Sequence, residues 1–138
     1  MRKLTIVLML CLATGVMAQK KCFDHDKYKA DLLEYVKKEA ALNAEELSAF
    51  QPVFDEWLTK KRALFSARKQ LRKSQPDNDE ECRQTIVNMD KLQVETKRME
   101  QEYHQRLLGL MPASKVLKVV RAEDQFNRNT FKRAAGKK

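Results

Sequence analysis

A single break divides the middle of this chain into two long segments that carry the residue pattern of an α-helix. Apolar side chains recur every three or four residues from 44 to 74 and again from 79 to 110. The stretch between them, Ser74 to Asp79, is rich in turn-forming residues and contains Pro76, which fits a tight connection between antiparallel helices. Each helix would be about 45 Å long at 1.5 Å per residue, so the pair predicts an extended hairpin.

Shorter helical patterns flank this hairpin. One begins at Tyr28 and ends near Leu42, and the other begins at Pro112 and ends near Arg133. The chain has only three Gly and three Pro, too few for the many tight turns of a β-sandwich or β-barrel. We therefore predict an all-α fold of about four helices, built as one domain over residues 19–138, with residues 134–138 frayed.

The start of the second helix carries a capping signal. Asn43 is a favoured N-cap residue, Glu46 stands three positions later as in a capping box, and Leu42 just before the cap suits a hydrophobic staple. Pro52 lies inside the same helix and lacks a backbone donor. We expect a kink or a restart of the helix there.

The first residues have the pattern of a secretory signal peptide. Arg2 and Lys3 precede a short apolar run, and the small residue Ala18 ends it. We predict that residues 1–18 are a leader cleaved after Ala18, and that the mature protein is periplasmic. The alternative interpretation is an uncleaved anchor, for which the apolar run is short.

The positive charge is concentrated in two places. Of the formal net charge of +9, Arg2 and Lys3 leave with the leader, which gives +7, and residues 115–138 contribute +6 of that. A second basic group lies on the second helix and includes Lys61, Arg62 and Arg68. A solvated helix face is one explanation, and an anionic partner is the other. Because export separates the protein from most nucleic acid, we expect unfolded proteins, a membrane sensor or an anionic membrane surface as partners.

Catalytic and cofactor motifs do not occur in the sequence. It contains no glycine-rich phosphate loop, no Gly-x-Ser-x-Gly, no His-Glu-x-x-His and no Cys-x-x-Cys. We therefore predict that the protein is not an enzyme. The two histidines, His25 and His104, are far apart and lack further ligands, so we predict no metal site, and weak binding of a transition metal at either histidine is the alternative. Cys22 and Cys82 form a candidate disulfide for an exported protein. A bridge within the chain, a bridge between chains and two free thiols all remain open.

The second helix has more apolar residues than one helical stripe needs, and a partner subunit or a client would bury the excess. This argues for a homodimer. The predicted client-binding or dimer surface combines these residues with nearby cations and two methionines of the third helix. It consists of Phe50, Phe54, Trp57, Leu58, Lys61, Arg62, Leu64, Phe65, Arg68, Met89 and Met99.

Two stretches carry a resemblance to a known family. The first covers residues 39–46 and 50–56, and the second covers residues 110–116 and 121–126. With them the chain resembles the Spy/CpxP-like (LTxxQ) family of small periplasmic helical proteins, in its Bacteroidetes-type form. The family motif Leu-Thr-x-x-Gln is matched by residues 42–46, where Asn43 and Glu46 replace Thr and Gln with the same capping chemistry.

The resemblance implies a helical hairpin that dimerises into a curved cradle, whose concave face binds unfolded or misfolded proteins without ATP. An exported holdase-type chaperone is thus the first functional expectation. The alternatives that the family implies are a regulatory protein that docks on an envelope-stress sensor and a metal-responsive periplasmic protein. The metal-responsive relatives use His-rich or Met-rich ligand sets, which this sequence lacks.

Overall fold

The chain forms four helices joined by short turns. A computed structural model describes residues 22–136. Within this range lie α1 (His25–Glu39), α2 (Ala44–Lys73), α3 (Asp79–Leu108) and α4 (Ala113–Ala135), with no strand among the described residues. The prediction of an all-α fold of about four helices is confirmed. The predicted leader and its cleavage site after Ala18 lie outside the described residues.

The four helices pack as two pairs. Helices α2 and α3 lie against each other as the predicted long hairpin, and α1 lies against α4. The second pair covers one side of the hairpin near its open end, where α3 contacts α4. Ion pairs join the elements there: Arg106 on α3 reaches Glu56 on α2 at 2.6 Å, and Lys29 on α1 reaches Asp55 on α2 at 2.9 Å.

Local signals account for the helix boundaries. The predicted capping box is confirmed, because the Glu46 amide donates to Asn43 Oδ1 at 2.8 Å and the Asn43 amide donates to Glu46 Oε2 at 3.0 Å. Leu42 next to the cap is buried. Asn78 caps α3 in the same way, accepting from the Glu81 amide at 2.9 Å.

Several predicted boundaries shift by a few residues. Asp24 accepts hydrogen bonds from two backbone amides and starts α1 at His25, three residues before Tyr28. Helix α2 continues through Pro52 without a restart. Helix α4 extends to Ala135, further than the predicted end near Arg133.

The turn between α1 and α2 contains a left-handed residue that is not glycine. Ala41 has φ of +50°. The Leu42 amide donates to the Lys37 carbonyl and the Ala41 amide donates to the Lys38 carbonyl, which is the Schellman arrangement for ending a helix. Glycine is the usual residue at this position because it has no Cβ to clash.

The hydrophobic core occupies only the end of the molecule where all four helices meet. Its largest fully buried side chains are Phe50, Phe54, Leu32, Leu107, Val36 and Val119. The core stops at Trp57 on α2 and Tyr103 on α3, since no residue from 58 to 102 is buried. We call residues 58–102 the arm.

Candidate functional site

The arm is a two-helix hairpin with a thin internal seam. Leu64 and Leu71 of α2 and Leu92 of α3 lie along this seam, and all three are only half-buried. Ala67 and Asn88 alternate with them and are too small or too polar to close the gap between the helices, which leaves an open groove along one side. The arm therefore buries little apolar surface of its own.

The α2 side of the arm is basic and contains no acid. Seven Lys and Arg residues occur from 60 to 73, and no Asp or Glu occurs from 57 to 76. Lys60 pairs with Glu56 at 2.7 Å, and Lys61 Nζ lies 5.7 Å from the centroid of the Trp57 ring. Five further cations form no ion pair within residues 22–136. They are Arg62, Arg68, Lys69, Arg72 and Lys73.

Phe65 is an exposed aromatic residue at the centre of these cations. Its side chain is 65% exposed. On a helix surface the neighbours of residue i are i±3 and i±4. For Phe65 all four of these positions are cationic, namely Lys61, Arg62, Arg68 and Lys69. The pattern combines an apolar contact with attraction for negative charge.

Two exposed apolar residues of α3 extend this surface. Ile86 is 60% exposed and Met89 is 45% exposed. They stand about four and three turns before Glu100, at 3.6 residues per turn. Glu100 and Lys61 both influence the carboxyl of Glu123 on α4, so they lie on the side of the hairpin that α4 covers. Phe65, one turn beyond Lys61, continues that side past the end of the core.

We call this surface the arm face. It comprises Phe65, Ile86 and Met89 together with the cations Arg62, Arg68, Lys69 and Arg72. The arm face lies on one side of the α2–α3 hairpin. At the core end of the hairpin, α1 and α4 cover this side, whereas the arm face is open among the described residues. An open surface that mixes apolar and cationic side chains is suited to binding polypeptide segments that carry apolar and acidic residues.

The structure corrects part of the predicted client-binding surface. Phe50 and Phe54 have no exposed surface, and Trp57 is 5% exposed, because they pack in one core cluster with side chains of α1, α3 and α4. These three residues therefore form the core and are not available to a client. Leu58 and Met99 are half-buried against that core.

Other predicted site residues do lie on the arm. Phe65, Met89, Arg62 and Arg68 are exposed there, while Leu64 lies in the seam. Ile86 could not be identified as a surface residue from the sequence, since its place on the apolar edge of α3 does not distinguish buried from open positions.

A buried polar cluster at the core end was also missed. Glu123 on α4 is 9% exposed and accepts a hydrogen bond from Tyr103 Oη at 2.5 Å. Tyr103 stacks on Trp57, with ring centroids 5.1 Å apart. Burial raises the pKa of Glu123 to about 7 despite the hydrogen bond from Tyr103, which lowers it. Burial likewise raises the pKa of Tyr103 far above its usual value. The signal in the sequence was an acid at a helical core position between Val119 and Phe126.

Cys22 and Cys82 are free, exposed thiols. Cys82 lies in the first turn of α3, about 30 Å along the helix from Tyr103 at 1.5 Å per residue. Cys22 lies just before α1, whose Lys29 pairs with Asp55 near the core end. A disulfide requires Cα atoms within about 7 Å. The structure thus does not contain the predicted Cys22–Cys82 bridge within the chain. A bridge between two chains and two free thiols stay open as predictions.

No group of three or more His, Cys, Asp or Glu side chains in residues 22–136 is arranged to hold a metal ion. Across the described helices, none is both long and apolar enough to cross a membrane.

Comparisons with known proteins add no relative. No protein-family model matches the chain, and neither a curated protein nor a solved structure matches it. The Spy/CpxP-like resemblance therefore depends on the short sequence motifs quoted above.

Proposed function

We propose that this protein is an ATP-independent, holdase-type chaperone that binds unfolded or partly folded polypeptides on the arm face. The observation that carries the proposal is the arm itself. From residue 58 to residue 102 nothing is buried, yet this segment holds Phe65, Ile86 and Met89 as exposed apolar side chains beside unpaired cations. Such a segment adds little to the stability of the fold. Binding of a partner therefore explains the presence of the arm better than a structural role does.

The chemistry of the arm face fits clients that lack a fixed shape. Phe65 and Met89 offer apolar contacts, and Met adapts to varied partners through its flexible side chain. The surrounding cations attract acidic segments over a longer range. Neither contact requires a defined pocket or a nucleotide.

A homodimer is part of this proposal. The half-buried Leu64, Leu71 and Leu92 leave apolar surface in the arm seam that a second copy would cover. Light scattering over a wide concentration range tests this. We expect the mass of two chains, and a single-chain mass at every concentration would rule the dimer out.

The proposal also places the mature protein in the periplasm, because of the leader predicted at residues 1–18. N-terminal sequencing of protein recovered from the cell envelope is expected to begin at Gln19. A mature chain that keeps Arg2 and Lys3 would contradict this location.

Suppression of aggregation tests the function. A reduced or heat-denatured client is mixed with stoichiometric protein, and light scattering follows its aggregation. We expect suppression by the native protein and a clear loss of it in the variant Phe65→Ser/Met89→Ser. Val94→Ser is the matched control, because Val94 is 69% exposed on α3 but lies about 140° around the helix from Met89.

The outcomes are distinguishable. No suppression at any ratio would rule out the chaperone. Equal loss in the Val94→Ser control would show that the arm face is not the binding surface. Capture of one folded sensor domain with no affinity for unfolded chains would favour the regulatory alternative.

A further inference from the structure

Glu123 is a buried acid without a cationic partner in the described chain. Its side chain is 9% exposed and its one hydrogen bond is accepted from Tyr103 Oη. The ion pairs of α4 are Lys115 with Glu46 and Arg128 with Asp124, and neither involves Glu123. An ionised carboxylate at such a position is costly, since one hydroxyl replaces a full hydration shell.

All four helices contribute to the surroundings of Glu123. From α3 come Tyr103 and Glu100, and from α2 comes Lys61. From α1 comes Tyr28, whose pKa is raised first by burial and then by the charge of Glu123. Tyr28 also donates to Asn127, one turn beyond Glu123 on α4. The acid therefore sits where the α1–α4 pair meets the α2–α3 hairpin.

The charges around Glu123 oppose one another. Lys61 and the Tyr103 hydroxyl favour the ionised form, whereas burial and Glu100 favour the protonated form. Burial is the largest of these influences, so the pKa lies at about 7 rather than near 4.5. The carboxyl changes its charge within the range of pH that an exported protein meets.

We propose that Glu123 is a pH-dependent latch between the α1–α4 pair and the hairpin. When protonated, its neutral carboxyl tolerates burial and α4 stays packed on the hairpin. When ionised, it favours release of α4 from the hairpin, because the released carboxylate regains water. The opening itself does not depend on the proposed chaperone function.

The consequence for clients does rest on the proposed function. Phe50, Phe54 and Trp57 are buried on the hairpin side that continues into the arm face. Release of α4 and α1 uncovers them and so enlarges the apolar surface next to Phe65. Client capacity is then greater at pH 8 than at pH 5.

Trp57 is a built-in reporter of the latch. It is the only Trp in the chain, it is 5% exposed, and it stacks on the tyrosine that bonds Glu123. We expect its emission to move to longer wavelength as the pH rises from 5 to 8. Hydrogen exchange of the α4 amides, corrected for the intrinsic pH dependence, provides a second readout of opening.

The direction of the pH dependence follows from the linkage between protonation and opening. The pKa of Glu123 is about 7 in the closed state and 4.5 is its ordinary value. The equilibrium constant for release of α4 therefore rises as the pH increases from about 4.5 to about 7, and then levels off. The expected increase in opening from pH 5 to pH 8 is on the order of 50-fold. Below pH 4.5 the carboxyl is protonated in both states and opening no longer depends on it.

Three variants test the assignment. Glu123→Gln keeps the shape of the protonated acid, so its α4 opening is expected to be independent of pH. Tyr103→Phe removes a hydrogen bond that favours the ionised form, so the opening is expected to level off at a higher pH. His104→Gln is the control, because His104 is the neighbouring histidine, with its ring centroid 5.8 Å from that of Tyr103.

The results separate this inference from the proposed function. A pH transition that persists in Glu123→Gln, or that disappears in His104→Gln, overturns the latch. A transition that depends on Glu123 in a protein that binds no unfolded client supports the latch and contradicts the chaperone. If α4 opens between pH 5 and pH 8 but aggregation is suppressed equally at both pH values, the proposed link between α4 release and client capacity is overturned.

Discussion

Trp57 on α2 stacks on Tyr103 on α3 with ring centroids 5.1 Å apart and ring planes 14° from parallel. This pair is the last buried layer of the hairpin. On one side of it all four helices contribute to a core, and on the other side the arm continues with no buried residue. The molecule therefore divides at this pair into a part that provides stability and a part that is available for contact.

Two phenylalanines on the same helix should show this division. Phe54→Ala removes a fully buried ring, so we expect the free energy of unfolding to fall by about 3–5 kcal/mol. Phe65→Ala removes a ring that is 65% exposed, so we expect a change within about 0.5 kcal/mol. Urea unfolding followed by circular dichroism measures both. Similar losses for the two variants would mean that the arm has a core of its own.

The turn at Ala41 offers a stabilising substitution. Ala41 has φ of +50°, a conformation that costs a non-glycine residue about 1–2 kcal/mol. Ala41→Gly removes the clash but adds freedom to the unfolded chain, so we expect a net gain of up to about 1 kcal/mol. Thermal unfolding checks this, with Ala63→Gly at an exposed position in the middle of α2 as the control that should destabilise. A loss of stability in Ala41→Gly would contradict the Schellman ending of α1.

Stability should depend on pH through Glu123. Its pKa is raised to about 7 in the folded protein, so the folded state is favoured most below the ordinary pKa and loses stability as the pH rises through 7. Glu123→Gln removes this loss. We expect it to raise the free energy of unfolding by about 2–3 kcal/mol at pH 8 and to leave it nearly unchanged at pH 4. Chemical unfolding at the two pH values measures the difference, and an equal effect at both would show that ionisation is not the cause.

Glu56 should give the opposite dependence. Lys60, and then Arg106, hold its pKa at about 2. Its contribution is therefore complete above the ordinary value of 4.5 and is lost as the pH falls toward 2. We expect the melting temperature of the native protein to fall more between pH 5 and pH 2.5 than that of Glu56→Gln. Parallel decreases in both proteins would place the acid sensitivity elsewhere.

Local features of this fold were predictable because each depends on a few neighbouring residues. The capping box at Asn43 and Glu46 is such a case, since the two side chains and two amides involved lie within one helical turn. The break at Pro76 and the length of the hairpin follow from the same kind of short-range pattern.

Whether an individual apolar residue is buried or exposed could not be predicted from the sequence, because it depends on which helices pack together. Phe50 and Phe65 have similar apolar side chains at helical spacing, yet α1 and α4 bury the first and leave the second open. The pairing of α1 with α4 joins segments about 90 residues apart, and no local pattern reports it. Glu123 was missed for the same reason, because its burial exists only after α3 and α4 pack.

The central claim is that the arm face binds unfolded polypeptides, and site-specific crosslinking tests it most directly. A photoreactive benzoylphenylalanine replaces Phe65, Met89 or Val94 in turn, and each protein is irradiated with a reduced, unfolded client. We expect crosslinked client from positions 65 and 89 and little from position 94. Crosslinks that are equally strong at all three positions, or strongest at position 94, would contradict it.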